Sequence, residues 1–262
     1  MTHRGQWRQC CCPCTPKPTL QRNQSLNVNS YEPKTLADIV FANDASKQTI
    51  EDIINGTIPF PYSGKTGILL HGVFGTGKTA LAKMLPEILE MSWQSQSLHM
   101  PQQDFNCEKG TTSNDITHLT KQQLDKTSFN ASGLHYFVFD EVDNLSKDAQ
   151  GAMKTIMNTT RGVFILTTNN LSQLNKGLRD RCIEVEMNAG PNDIYLPLAQ
   201  RICSDAGVTL TQTEMLDAIS GCNGSFRNVV LNVTTAARRK HLKQQAQALA
   251  SAAIKSASNQ VK

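Results

Sequence analysis

Apolar residues along this chain fall into two patterns, short continuous runs and sets repeated at helical spacing. The continuous runs predict four buried strands, at Gly67–His71, Tyr136–Phe139, Val163–Leu166 and Ile183–Met187. Helical spacing predicts helices over residues 44–54, 80–91 and 146–158. Each of the first three strands ends in polar residues, which is typical of functional edges of parallel sheets.

Strands that alternate with helices predict a parallel sheet covered on both faces, a three-layer α/β domain over residues 29–188. Strand signals stop after Gly190 and Pro191. Three helix-like segments follow, at 192–206, 212–220 and 225–240. They predict a small all-α domain over residues 189–243, which we call the lid.

Three stretches carry no assigned element. Residues 1–28 lack periodicity and contain three prolines, so we expect a disordered tail there. Residues 92–133 are polar with only short apolar pieces. Residues 244–262 are rich in Ala, Gln and Ser, and both a helical extension and a disordered tail remain open.

Composition excludes wholesale disorder and a membrane span. Hydrophobic residues make up 39% of the 262 residues, and no apolar run approaches the ~18 residues that a span needs. The polar N-terminus lacks the apolar stretch of a signal peptide. We therefore expect a soluble, cytoplasmic protein with no membrane partner.

The formal net charge of +4 is unevenly distributed. Residues 1–28 carry four basic and no acidic side chains, and residues 236–262 carry six basic and no acidic ones. The body between these ends is therefore acidic. Basic ends suit contact with phosphate backbones, and solvated tails are the alternative interpretation.

Four of the eight cysteines lie between Cys10 and Cys14. Their single CxxC spacing, Cys11 to Cys14, supplies two thiolates where a structural zinc site needs four ligands. We expect reduced thiols rather than a metal site.

The strongest chemical signal is a complete GxxxxGK[ST] phosphate-binding loop (P-loop) between a predicted strand and a predicted helix. It comprises Gly72, Val73, Phe74, Gly75, Thr76, Gly77, Lys78 and Thr79. Its glycines let backbone N–H groups surround a phosphate, and the helix N-terminus adds positive potential. Lys78 is expected to reach the β- and γ-phosphates of ATP, and Thr79 to offer its hydroxyl to Mg²⁺.

The second signal is an acidic pair that follows the next buried strand. Asp140 is a candidate Mg²⁺ ligand, and Glu141 a candidate base that polarises the attacking water. Such a pair alone is weak evidence, but next to a P-loop strand it becomes strong.

These motifs, with Asn169 after the following strand, resemble the AAA+ ATPases. The resemblance implies a P-loop NTPase fold and a polar "sensor" that reads the γ-phosphate. We assign that sensor to Asn169, with Asn170 as the competing choice.

Within AAA+, the chain resembles the small subunits of sliding-clamp loaders. Four stretches carry this likeness: Tyr31–Val40 (the entry segment), Asp143–Met153, Leu178–Cys182 and Gly224–Arg227. The resemblance implies that Ile39 and Val40 help to enclose the adenine. It also implies that Arg181 enters a neighbouring subunit's ATP site and that Arg227 touches the γ-phosphate of its own subunit. Arginine suits both roles because it is always charged and forks onto phosphate oxygens.

The chain departs from this family's pattern at several positions. Val73 and Phe74 stand where many relatives have prolines, Glu32 replaces the usual arginine of the entry segment, and Asp180 replaces a serine. Only 22 residues follow Lys240, too few for the family's C-terminal collar. We therefore expect no collar in this chain.

The expected function is an AAA+ ATPase that hydrolyses Mg-ATP at a site shared between subunits of a homo- or hetero-oligomer. Clamp-loader-like work on DNA in replication or repair is favoured. The alternatives are a remodeller of another protein or DNA complex and a nucleotide-gated binding module with little hydrolysis. Residues 102–126 are near neutral in charge, so the basic C-terminal stretch is the better electrostatic candidate for DNA.

Overall fold

The computed structural model describes residues 31–62, 64–94 and 103–259. The tail predicted over residues 1–28, including the Cys10–Cys14 cluster, lies outside these ranges.

The centre of the fold is a five-stranded parallel sheet in the order β2-β3-β4-β1-β5. Its strands are β1 Gly67–His71, β2 Gln103–Asn106, β3 His135–Asp140, β4 Gly162–Thr168 and β5 Cys182–Glu186. The four predicted strands are confirmed. The last begins and ends one residue earlier than the apolar pattern predicted.

Eight α-helices surround the sheet or follow it in the described part of the chain. They are α1 Asp44–Ile54, α2 Lys78–Gln94, α3 Ser113–Leu124, α4 Lys147–Ile156, α5 Lys176–Arg179, α6 Leu196–Asp205, α7 Gln212–Ile219 and α8 Phe226–Asn259. Several begin at side-chain caps; Asn43 Oδ1, for example, accepts from the Ser46 backbone N–H at 2.7 Å. None of the helices in these ranges is long and apolar enough to cross a lipid bilayer.

The alternation of side chains along the strands produces the predicted three layers. On β1, Ile68 and Leu70 pack in one core with residues of α1 and α2. Leu69 packs in a second core with residues of α3, α4 and α5. Because successive strand residues point to opposite faces, a continuous apolar run is what a strand buried on both faces requires.

Residues 92–133 contain two elements that the apolar pattern did not predict. Strand β2 lies at the sheet edge, and only its alternate residues are partly buried. Helix α3 buries just Ile116 and Thr120. Its start is marked instead by a capping box, in which the side chains of Thr112 and Asp115 each accept from the other's backbone N–H.

The lid is built from α6, α7 and the first part of α8, which share a third apolar core. Tyr31, at the start of the entry segment, belongs to this core and is 2% exposed. Of the two alternatives for residues 244–262, the described part is helical, since α8 continues to Asn259. The prediction placed a helix over residues 225–240 and left its continuation open.

Candidate nucleotide site

The P-loop connects β1 to α2 at the carboxyl edge of the sheet. Gly72, Gly75 and Gly77 have φ values of 147°, 79° and 93°, a region that side chains disfavour. At Gly72 a Cβ would lie 2.4 Å from the Met187 carbonyl oxygen. Asn188 Oδ1 accepts from the Val73 backbone N–H at 3.2 Å. The segment after β5 therefore packs against the P-loop.

The side chain of Lys78 is held inside the P-loop by backbone carbonyl groups. Its ammonium donates to the carbonyl oxygens of Gly72 at 2.9 Å and Val73 at 2.6 Å. Burial lowers the Lys78 pKa to about 8, against the opposing attraction of nearby carboxylates, Asp140 first among them. The ammonium is thus poorly solvated before any phosphate arrives, which favours its exchange of carbonyl partners for an anion.

The side chain of Thr79, in α2, contacts the side chain of Asp140, at the end of β3. The Thr79 hydroxyl contacts both carboxylate oxygens of Asp140, at 3.0 and 3.1 Å. The hydroxyl of Thr167, on β4, also donates to Asp140. These oxygen donors are the kind that Mg²⁺ prefers, so Thr79 and Asp140 fit a magnesium site.

Glu141 adopts a left-handed backbone conformation, with φ 57° and ψ 51°. Its backbone N–H donates to Thr167 Oγ1 at 2.9 Å, and its Oε2 accepts from Asn144 Nδ2 at 3.1 Å. Such a conformation is costly for a residue with a side chain and is concentrated at functional sites. The turn directs the Glu141 side chain to the same cavity that Lys78 lines.

Asn169 and Asn170 occupy different environments after β4. Asn169 lines the cavity with Lys78 and Asp140. The Asn170 side chain instead caps the following 3-10 turn, accepting from the Ser172 backbone N–H at 3.2 Å. This placement favours Asn169 over Asn170 for the sensor role.

The lid touches the P-loop directly. The Phe226 backbone N–H donates to the Gly75 carbonyl oxygen at 2.8 Å. A Cβ on Gly75 would lie 2.3 Å from Ser225 Oγ. Arg227 follows at once and lines the same cavity.

Two cavities meet at this end of the lid. The P-loop cavity, of about 490 Å³, is lined by Gly75, Lys78, Thr79, Asp140, Glu141, Asn169 and Arg227, together with Glu32, Pro33 and Phe226. The entry-segment cavity, of about 820 Å³, is lined by residues that include Tyr31, Ile39, Val40, Leu198 and Phe226. Phe226 contributes to both, and Ile39 also lies beside Gly77. Together they form a site in two halves, each lined by charged as well as apolar side chains, with Asp38, Lys47 and Arg201 among those of the entry-segment cavity.

Arg181 does not line the P-loop cavity. Its carbonyl oxygen accepts from the Gly67 backbone N–H at 3.0 Å, at the amino end of β1. The five residues of β1 separate it from the P-loop by about 16 Å, at roughly 3.3 Å per residue. Its guanidinium donates to Asn158 Oδ1 at 2.9 Å and to the Gly177 carbonyl oxygen at 2.6 Å.

Sequence reasoning missed several residues that shape the site. Thr167, Asn188 and Ser225 contact Asp140, the Val73 N–H and the P-loop surface, respectively. Thr167 and Asn188 belong to no motif that a single sequence reveals, whereas Ser225 lies in the Gly224–Arg227 stretch, where no role was assigned to its side chain. The only available signal for Thr167 was its place at the carboxyl end of β4, beside the Asp140 strand.

Comparison with known proteins agrees with this geometry. Residues 68–189 match the family described as "ATPase family associated with various cellular activities (AAA)". In fold, the chain superposes on a point variant of RuvB from Thermotoga maritima with a TM-score of 0.60 and 15% identity, over 76% of this chain and 63% of that one. Residues 68–189 are therefore an AAA-family ATPase domain.

The relatives by sequence are subunits of replication factor C. They include the large subunit of Methanosarcina mazei, 26% identical over 80% of this chain and 33% of that protein. The small subunit 2 of Pyrobaculum islandicum is 24% identical over 76% and 60%, and the small subunit of Archaeoglobus fulgidus 26% over 79% and 62%. The chain is a homologue of these subunits and spans between one third and two thirds of their length.

Proposed function

We propose that this chain binds and hydrolyses Mg-ATP and couples the cycle to conformational work in DNA replication or repair, as a clamp-loader-like subunit. One observation carries the proposal. Lys78, Thr79, Asp140, Glu141 and Arg227, predicted from separate motifs, line a single cavity.

Each of these side chains has a task in phosphoryl transfer to water. Lys78 and the P-loop N–H groups bind the β- and γ-phosphates. Glu141 accepts a proton from the attacking water, and Asn169 orients the γ-phosphate. Thr79 and Asp140 would hold Mg²⁺, which supplies charge neutralisation of the phosphates when bound.

Arg181 supports a site shared between subunits. It lies at the amino ends of the strands, whereas its own P-loop lies at their carboxyl ends. It therefore cannot reach its own γ-phosphate in this conformation. A neighbouring subunit, either another copy or a related chain, would receive it. Hydrolysis then depends on assembly, because an arginine supplied in trans stabilises the charge of the transition state.

DNA and a sliding clamp are proposed partners on the strength of the replication factor C relatives. The exposed part of α8 supports DNA contact, since Arg239 and Lys243 are exposed and residues 236–259 contain no acid. We place the protein in the cytoplasm.

The test separates ATP binding from ATP hydrolysis, with and without primed duplex DNA. We expect Lys78→Ala to lose ATP binding, and Glu141→Gln to bind ATP while hydrolysis falls by about 10²–10⁴-fold. Glu108→Gln, at an exposed acid outside the P-loop cavity, is the matched control and should hydrolyse ATP normally. Equal rates for wild type and Glu141→Gln would contradict the catalytic assignment, and a rate indifferent to primed DNA would contradict the clamp-loader assignment.

A further inference from the structure

Glu32 is an exposed acidic side chain of the entry segment that lines the P-loop cavity. It lines that cavity together with Pro33, Phe74 and Arg227. The cavity has two other carboxylates, and both have partners: Asp140 contacts Thr79, and Glu141 accepts from Asn144. Over residues 31–62, 64–94 and 103–259, no hydrogen bond or ion pair holds the Glu32 carboxylate. A negative charge that faced the phosphates would repel them, so the phosphates do not explain it.

The position of Glu32 along the chain locates it between the two halves of the site. Tyr31, the preceding residue, lines the entry-segment cavity, whereas Glu32 and Pro33 line the P-loop cavity. Phe226 lines both from the lid side. A nucleotide with its base among Ile39 and Val40 and its phosphates on the P-loop would place its sugar at this junction.

We propose that the Glu32 carboxylate accepts hydrogen bonds from the ribose hydroxyls and makes the site selective for ribonucleotides over deoxyribonucleotides. An ionised carboxylate only accepts, and the ribose edge offers two hydroxyl donors. Acidic residues perform this task in dinucleotide-binding folds. The inference rests on the ATP site proposed above and adds a specificity determinant to it.

Backbone anchoring gives Glu32 a defined location. Tyr31 is fixed in the lid core, where its hydroxyl donates to Asp205 Oδ2 at 3.1 Å and its ring lies 5.8 Å from the Arg201 guanidinium. Arg201 also pairs with Asp38 at 3.0 Å. The residues on both sides of Glu32 are therefore tied to the lid, so lid closure and sugar contact are linked.

The experiment measures equilibrium binding of ADP, 2′-deoxy-ADP and 3′-deoxy-ADP, with Mg²⁺, by isothermal titration calorimetry. Diphosphates cannot be consumed by hydrolysis of a γ-phosphate, so affinity is read directly. We expect wild type to bind at least one deoxy analogue about tenfold more weakly than ADP, the range of a hydrogen bond to a charged group. In Glu32→Ala, ADP should weaken to the level of that analogue, whose own affinity should not change.

Two variants complete the design. Glu32→Gln keeps an acceptor without the charge and should retain part of the selectivity. Glu87→Ala removes an exposed acid of α2 that lines neither cavity, and should behave as wild type.

The outcomes distinguish this inference from the proposed function. If wild type binds all three diphosphates equally, the ribose contact is wrong and the ATP site stands. Tighter binding of all three by Glu32→Ala would identify a purely repulsive charge and also overturn the inference. If wild type binds none of them, the ATP site fails and the inference fails with it.

Discussion

The backbone N–H of Phe226 donates to the carbonyl oxygen of Gly75 at 2.8 Å, which joins the first residue of the lid helix α8 to the P-loop. Arg227 is the next residue of that helix and lines the P-loop cavity. A phosphate bound by the loop therefore lies within reach of the element that must move when the lid moves. This contact provides a physical route from a chemical step to a domain motion.

Gly75→Ala should disrupt this contact. The new Cβ would lie 2.3 Å from Ser225 Oγ, and φ at this position is +79°. We expect the lid to be displaced and ADP binding to fall by at least tenfold, measured by calorimetry.

Gly56→Ala is the matched control for backbone strain. Its φ is +73°, but its Cβ would meet nothing within 4 Å. It should cost about 1–2 kcal/mol of stability in thermal unfolding and leave ADP affinity intact. Equal losses of ADP affinity in both variants would mean that strain, not lid contact, is responsible.

Thr79→Ala should remove the magnesium dependence of nucleotide binding. The Thr79 hydroxyl lies 3.0 and 3.1 Å from the two Asp140 carboxylate oxygens, and this pair fits the cation. We expect Mg²⁺ to tighten ADP binding in wild type and to change it less than twofold in Thr79→Ala, measured by titration with Mg²⁺ and with EDTA.

Thr79→Ser preserves the hydroxyl and should preserve the magnesium effect. A Thr79→Ala protein that responds to Mg²⁺ as strongly as wild type would place the cation elsewhere.

The affinity for ADP should fall as pH rises through 8. Burial lowers the pKa of Lys78 to about 8 in the free protein, and a bound phosphate raises it by stabilising the ammonium. Above the free-state pKa, binding must take up a proton, so the Kd should increase toward tenfold per pH unit until the bound-state pKa is passed. The phosphates contribute little, because their own pKa lies near 6.

Calorimetry in buffers of different ionisation enthalpy measures this proton uptake directly. We expect close to one proton per ADP at pH 9. Lys83→Ala, at an exposed cavity residue, should keep the same uptake. A constant Kd from pH 7.5 to 9.5 would show that Lys78 is not the titrating phosphate ligand.

The sheet core was predictable because its signal is local. Gly67–His71 and Val163–Leu166 are buried on both faces, so their apolar runs reveal strands without knowledge of their neighbours. Strand β2 and helix α3 were not, since an edge strand and a half-exposed helix need few apolar residues. The extent of α8 beyond residue 240 was left open between a helical extension and a disordered tail, because this part is Ala- and Gln-rich and lacks an apolar face.

The site residues were predictable where the chemistry requires a fixed spacing along the sequence. Features of the site that depend on tertiary packing were not predictable. The P-loop pattern follows from backbone geometry around a phosphate, and Asp140 and Glu141 follow from their place at a strand end. The left-handed backbone of Glu141 and the contact of Phe226 with Gly75 depend on tertiary structure. The same is true of the anchoring of Tyr31 in the lid, since its partners Arg201 and Asp205 lie about 170 residues further along the chain.

The shared ATP site is the central claim, and a mixing experiment tests it most directly. Lys78→Ala lacks phosphate binding but keeps Arg181, whereas Arg181→Ala keeps its P-loop and lacks the arginine for its neighbour. Each variant alone should hydrolyse ATP at least 10³-fold more slowly than wild type. In an assembly of like copies, an equal mixture should regain part of the wild-type rate, and the gain should grow with protein concentration. An Arg181→Ala protein as active as wild type at every concentration would contradict the account.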